Sequence, residues 1–110
     1  MNPRPMNAMP AEALTRALSQ VVLMHEGGLH ARPSIKVTKL AKRFQAKVWI
    51  GPSRGGPWTD AKSIARVMAL KMPINSVIYF AAEGDDAERA VVALASLVEG
   101  DFADVADDVE

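Results

Sequence analysis

His30 and Arg32, two positions apart in Gly28-Leu29-His30-Ala31-Arg32-Pro33-Ser34, are the residues of this chain best equipped for chemistry, and that chemistry is the holding of a phosphoryl group. A neutral imidazole is nucleophilic near pH 7, takes a phosphoryl group on one ring nitrogen and leaves readily when the next acceptor attacks, so it can relay the group. A guanidinium is planar and permanently charged, and its fork suits phosphate oxygens. Gly27 and Gly28 release the backbone from the apolar run Val21-Val22-Leu23-Met24, and a 3.6-residue apolar period begins just after His30. His30 is therefore expected at a strand-to-helix turn. The first N–H groups of a helix lack internal partners and stand at the positive end of its dipole, so an anion carried there is stabilised. Pro33 is tolerated in a first helical turn but disfavours the α region at Arg32, which predicts a slightly irregular start.

Other polar residues carry weaker signals. His25 has no cysteine or carboxylate at ligand spacing and reads as an ordinary strand residue, and two histidines alone do not make a metal site. Ser63 precedes Ile64, Val67 and Met68 at helical spacing, so it reads first as an N-cap. Lys36, Lys39, Lys42 and Arg43 read as the solvated face of the first helix, because nucleic-acid binding in a neutral chain needs interleaved aromatics. Arg66, Met68, Leu70, Lys71 and Met72 form a patch on a short helix that suits contact with several partners, since methionine adapts its shape.

The elements that must position these residues follow from periodicity and turn residues. Val21–His25 predicts a first strand, and Ala31–Phe44 a helix whose stripe is Val37, Leu40, Ala41 and Phe44. Ala46–Ile50 predicts a second strand, the loop Gly51–Pro57 a turn, and Trp58–Ala61 a short third strand. The Ser63-capped helix must end near Met72-Pro73, Ser76–Ala82 is the strongest strand signal, and after Gly84 a third helix buries Ala90, Val91, Leu94, Leu97 and Val98. Asp85 and Asp86 place negative charge where that helix's dipole favours it. Every helix is amphipathic, so the order βαββαβα implies an α+β protein with a mostly antiparallel sheet covered on one face.

One domain is expected at 19–100, with a flexible extension at 1–18 and an acidic tail at 101–110. With 110 residues and 49% hydrophobic content the chain builds a core without disulfides, and it has no cysteine, which excludes thiol chemistry. Thirteen basic and thirteen acidic residues balance, so no global field favours nucleic acid or an anionic membrane. No run is long and apolar enough for a signal peptide or span, and a cytoplasmic location is the default expectation.

Taken together, Gly28-Leu29-His30-Ala31-Arg32-Pro33, Lys62-Ser63-Ile64 with Val67-Met68-Ala69-Leu70, and Ala82-Glu83-Gly84-Asp85 resemble the motifs of HPr, the histidine-containing phosphocarrier family of the bacterial phosphoenolpyruvate-dependent phosphotransferase system. The resemblance covers about Ser19 to Gly100. It implies an open-faced β-sandwich in which a four-stranded antiparallel sheet is covered on one face by three helices. It also implies that His30 is phosphorylated on Nδ1, with Arg32 as its partner. By the same implication the phosphoryl group arrives from enzyme I and leaves to an EIIA-type domain, and the chain is a substrate of transferases. No cofactor or metal is expected, and a carrier that exposes one small site to successive partners is expected to be a monomer. An HPr kinase acting on Ser63 belongs to the family too, but Arg66 stands where serine-regulated members carry glycine, and the capping role of Ser63 is favoured. The loop Gly51–Pro57 is about two residues longer than the family's hairpin turn. A regulatory module of the same fold, such as the nitrogen-branch carrier, is the alternative; an α+β binding domain with a structural His30 is a third reading.

Overall fold

The computed structural model describes residues 16–103. The expected extension and acidic tail fall outside the described residues for 1–15 and 104–110. Within them the order is β1 (Arg16–Val22), α1 (Ala31–Ala41), β2 (Lys47–Gly51), β3 (Thr59–Asp60), α2 (Ile64–Ala69), β4 (Val77–Glu83) and α3 (Ala87–Glu99). The four strands form one antiparallel sheet in the order β1-β4-β2-β3, the α+β open-faced arrangement expected.

The strongest strand by sequence, β4, lies inside the sheet between β1 and β2. Its Ile78, Phe80 and Ala82 are buried. They join Val48 and Ile50 of β2, Val37 and Ala41 of α1, Val67 of α2, and Ala90, Val91, Leu94 and Val98 of α3 in a single core. Burial of side chains of this size contributes roughly 1.5–3 kcal/mol each and is the main force holding helices to sheet. Glu83 pairs in register with Arg16 on one side and Lys47 on the other, placing opposite charges across both ladders.

The first strand lies earlier than its apolar run suggested, at Arg16–Val22 instead of Val21–His25, so residues 16–18 of the expected extension belong to the sheet. Its span is set by pairing with β4, and the Ser19 hydroxyl donates to the Val91 carbonyl of α3 at 2.9 Å. Leu23 then leaves the ladder with its N–H on the Ser76 carbonyl, and Met24 to Leu29 form the loop that carries the candidate site. At the far end α1 stops at Ala41, three residues before Phe44. There Arg43 and Phe44 donate to Leu40 and Ala41, the tighter bonding of a closing turn.

Asp86 stands at the N-cap position of α3 yet makes no capping bond with its side chain. Its carboxylate instead accepts from the N–H groups of Gln45 at 2.9 Å and Ala46 at 2.8 Å, tying down the entry to β2. The Gln45 N–H, followed by that of Ala46, holds the Asp86 carboxyl below the usual carboxylate range, against a smaller opposing desolvation.

Candidate functional site

The loop between β1 and α1 is positioned by two glycines with left-handed backbone, Gly27 at φ 92° and Gly28 at φ 74°. Gly28 cannot be replaced without displacement, because a Cβ there would lie 2.4 Å from the Met72 carbonyl oxygen and 3.1 Å from Pro73 Cα. The close approach lets the Leu29 N–H donate to that same carbonyl at 2.8 Å, which locks the loop to the turn after α2. His30 follows as the N-cap residue of α1, in extended conformation and with no capping bond from its ring. The residue is exposed.

Arg32 occupies the second position of α1 and is exposed. The helix is continuous from Ala31 despite Pro33, because a proline in the first turn lacks only an N–H that has no intrahelical partner anyway. Ser34, fully buried, sends its hydroxyl back to the Leu29 carbonyl at 3.3 Å and fastens the first turn to the loop.

His30 lies on the ridge between two shallow depressions. One is lined by His25, Arg32, Pro33, Lys36, Asp101 and Phe102 together with His30, and holds two permanent cations and one carboxylate. The other is lined by Leu29, Met68, Lys71, Met72 and Pro73 with His30, and is apolar apart from Lys71. Met68 is 39% exposed and Lys71 is exposed, so both reach solvent beside the imidazole. Met72 is 6% exposed and belongs to the core, which corrects the expectation that it projects toward a partner. It forms the floor of the depression, because the turn after α2 folds it under the loop that carries Leu29. Arg66 is exposed but lies apart from His30, in a groove with Lys47, Trp49, Trp58 and Lys62.

Ser63 caps α2, its hydroxyl accepting from the Arg66 N–H at 3.4 Å. The neighbouring Lys62 ammonium donates to the Phe44 carbonyl at 2.7 Å and ties α2 to the end of the α1 segment.

Three residues at the site carried no functional signal in the sequence. Lys36, assigned to a solvated face, is 9% exposed and lines the depression beside His30, whereas Lys39, Lys42 and Arg43 are exposed as expected. His25 lies beyond β1, its ring centroid 5.3 Å from that of His30, and its Nδ1 is 2.8 Å from Asp101 Oδ1. Phe102 is 4% exposed and meets His25 edge-on at 5.4 Å.

Asp101 and Phe102, placed by sequence in the tail, fold back through a Schellman motif. The Phe102 N–H bonds to the Leu97 carbonyl at 2.8 Å and that of Asp101 to the Val98 carbonyl at 3.0 Å. The motif wants glycine where Asp101 stands at φ 57°; Gly100 comes one residue too early, at φ −85°. Left-handed backbone at Asp101 and at Phe102 (φ 60°) costs about 1–3 kcal/mol each. Burial of Phe102 returns roughly 1.5–3 kcal/mol. The His25–Asp101 pair is exposed by 25% and 64% and adds about 0–1 kcal/mol. An aromatic residue shortly after a terminal helical glycine was the one available sequence signal for this closure.

Comparison with known proteins bears on the family of the chain. Residues 17–100 match the family model described as PTS HPr component phosphorylation site. The chain is 40% identical over 80 residues to Phosphocarrier protein HPr of Cupriavidus necator, covering 73% of this chain and 88% of that protein. A 68-residue stretch is 41% identical to part of Multiphosphoryl transfer protein of Vibrio cholerae, covering 61% of this chain and 17% of that protein. Among solved structures, HPr-C-His from Thermoanaerobacter tengcongensis superposes with a TM-score of 0.71 at 32% identity, over 78% of this chain and 94% of that one.

Proposed function

The chain belongs to the HPr family of phosphotransferase-system phosphocarriers, and from that premise we propose that it accepts a phosphoryl group on His30 from phosphorylated enzyme I and passes it to an EIIA-type domain. The observation that carries this reading is the exposed imidazole at the uncapped mouth of α1, with Arg32 two residues on. Phosphoryl transfer asks for positioning and charge stabilisation more than for covalent help, and the open N–H groups of the first turn with one guanidinium supply both on the carrier side. The partners provide the remaining groups.

We assign Nδ1 as the reacting nitrogen, because the Cδ2–Nε2 edge of the ring faces Gly27. A Cβ at Gly27 would lie 3.0 Å from His30 Cδ2 and 3.3 Å from Nε2, so that edge of the ring is turned toward the loop. Nδ1 lies on the opposite edge. Docking of both partners onto this end is assigned to Met68 and Lys71, the exposed members of the patch beside His30. A phosphoryl carrier of this kind is acted on by transferases and is not itself a catalyst.

The test is incubation of the full chain with labelled phosphoenolpyruvate and an active enzyme I, beside His30→Ala and Met68→Glu. Acid-labile, base-stable label is expected on the wild type and none on His30→Ala. Met68→Glu is expected to be labelled more slowly through a raised KM for the carrier. Absence of label on the wild type, or its persistence on His30→Ala, refutes the assignment of His30.

A further inference from the structure

We propose that His25, oriented by Asp101, is a positioning residue that holds the phosphoryl group carried on His30. The proposal rests on the phosphocarrier reading above and adds to it a second imidazole from the β1–α1 loop and a carboxylate from beyond α3.

Three observations converge on it. The two imidazole rings lie 5.3 Å apart at a tilt of 43° and line the same depression, with Arg32 and Lys36 on its wall. A phosphoryl group added to His30 on that side extends into the space the four residues bound. Secondly, Asp101 Oδ1 lies 2.8 Å from His25 Nδ1. A carboxylate only accepts, so Nδ1 donates, and this bond sets both the tautomer and the ring orientation. Nε2 is then the nitrogen left to face other groups. Thirdly, the left-handed turn that delivers Asp101 also carries the buried Phe102, so one closure of the chain brings both a carboxylate and an aromatic ring to His25. Phe102, buried, meets the His25 ring edge-on at 5.4 Å and restrains it.

The chemistry is that of a charge-assisted hydrogen bond. With Nδ1 bonded to Asp101, the ring has a second N–H only as the imidazolium. The Asp101 carboxylate on one side and the phosphoryl oxygens on the other hold that cation, whose extra proton comes from solvent. The charged and titratable groups around the depression are His25, His30, Arg32, Lys36 and Asp101, and the arriving phosphoryl dianion meets the permanent cations Arg32 and Lys36 beside the single carboxylate of Asp101. His25 thereby stabilises the phosphorylated state of the carrier over the free one and shifts the transfer equilibrium toward phospho-His30.

The experiment measures the equilibrium ratio of phosphorylated to free full-length chain at fixed phosphoenolpyruvate and pyruvate with catalytic enzyme I. It also records the phosphohistidine 31P resonance and the melting temperature of the free protein. His25→Phe keeps the edge contact with Phe102 but removes the nitrogens; Asp101→Gly removes the carboxylate at a position whose backbone suits glycine. Both variants are expected to be labelled on His30. The ratio should fall about tenfold in His25→Phe, as expected for a lost charge-assisted hydrogen bond, and less in Asp101→Gly. The 31P resonance should move in both, while Asp101→Gly melts no lower than the wild type. Ratios and resonances equal to the wild type in both variants overturn the proposal and leave the pair as a clasp between loop and helix. A wild type that takes no label removes the phosphocarrier reading and this proposal with it.

Discussion

The N-termini of α1 and α2 meet the same electrostatic situation and resolve it oppositely. At α2 the Ser63 hydroxyl accepts from the N–H of Arg66, the third helical residue, and spends the terminus on stability. At α1 the side chain at the cap position is an imidazole that makes no such bond, and the third helical residue is Pro33, which has no N–H to offer. The terminus of α1 thus lacks one donor a cap ordinarily uses, and its remaining donors stay available. A capping side chain and a phosphoryl group compete for the same N–H groups, so a helix can use its first turn for anchoring or for anion binding, but not fully for both. Asp86 of α3 shows a third use: the cap-position carboxylate is diverted to the backbone of Gln45 and Ala46.

The contrast is broken most forcefully by converting one end into the other. His30→Asn supplies a capping side chain and no nucleophile; the label from phosphoenolpyruvate is expected to vanish completely. Chemical denaturation should show a gain below about 1 kcal/mol, because only the N–H of Arg32 remains to be capped. A loss of stability would mean that the imidazole itself supports the turn.

The converse change is smaller. Ser63→Ala is expected to lower the unfolding free energy by about 1 kcal/mol while the rate and extent of labelling at His30 stay as in the wild type. A matched fall in labelling would show that α2's cap and the His30 loop are coupled through Met72, and the two termini could no longer be treated as independent.

The least effect is expected at α3 and only in acid. The Asp86 carboxyl is held below its ordinary value of about 3.8 by the N–H groups of Gln45 and Ala46. A depressed folded-state value means that its contribution is fully present above the ordinary value and is lost as pH falls through the depressed one. Urea midpoints measured from pH 6 down to pH 2 should therefore fall less steeply below about pH 4 in Asp86→Asn than in the wild type. Parallel curves would show that the loop bonds do not depend on the charge.

Much of this arrangement was legible in the chain. The Gly27-Gly28 turn, the helix starting after His30, the Ser63 cap and the β4 strand are local events governed by backbone conformation, capping and apolar period, and each is found. The placement of β1 was not, because its alternating polar and apolar residues form a strand only when β4 lies beside them. Lys36 and Met72 were misplaced for a related reason: the turn of a helix and the path of a loop decide burial, and neither is set by residue type alone.

By itself the sequence determined the His30 and Arg32 pair proposed as the site, the helix whose mouth they occupy and the order of elements, because these depend on residues within a few positions of one another. Only the tertiary structure decided that His25 faces His30 across one depression, that Asp101 reaches back across 76 positions to orient it, and that Met72 lies beneath the site. Contacts between residues so distant in the chain arise from how α3 packs on the sheet and how its last turn closes, and no local pattern encodes them.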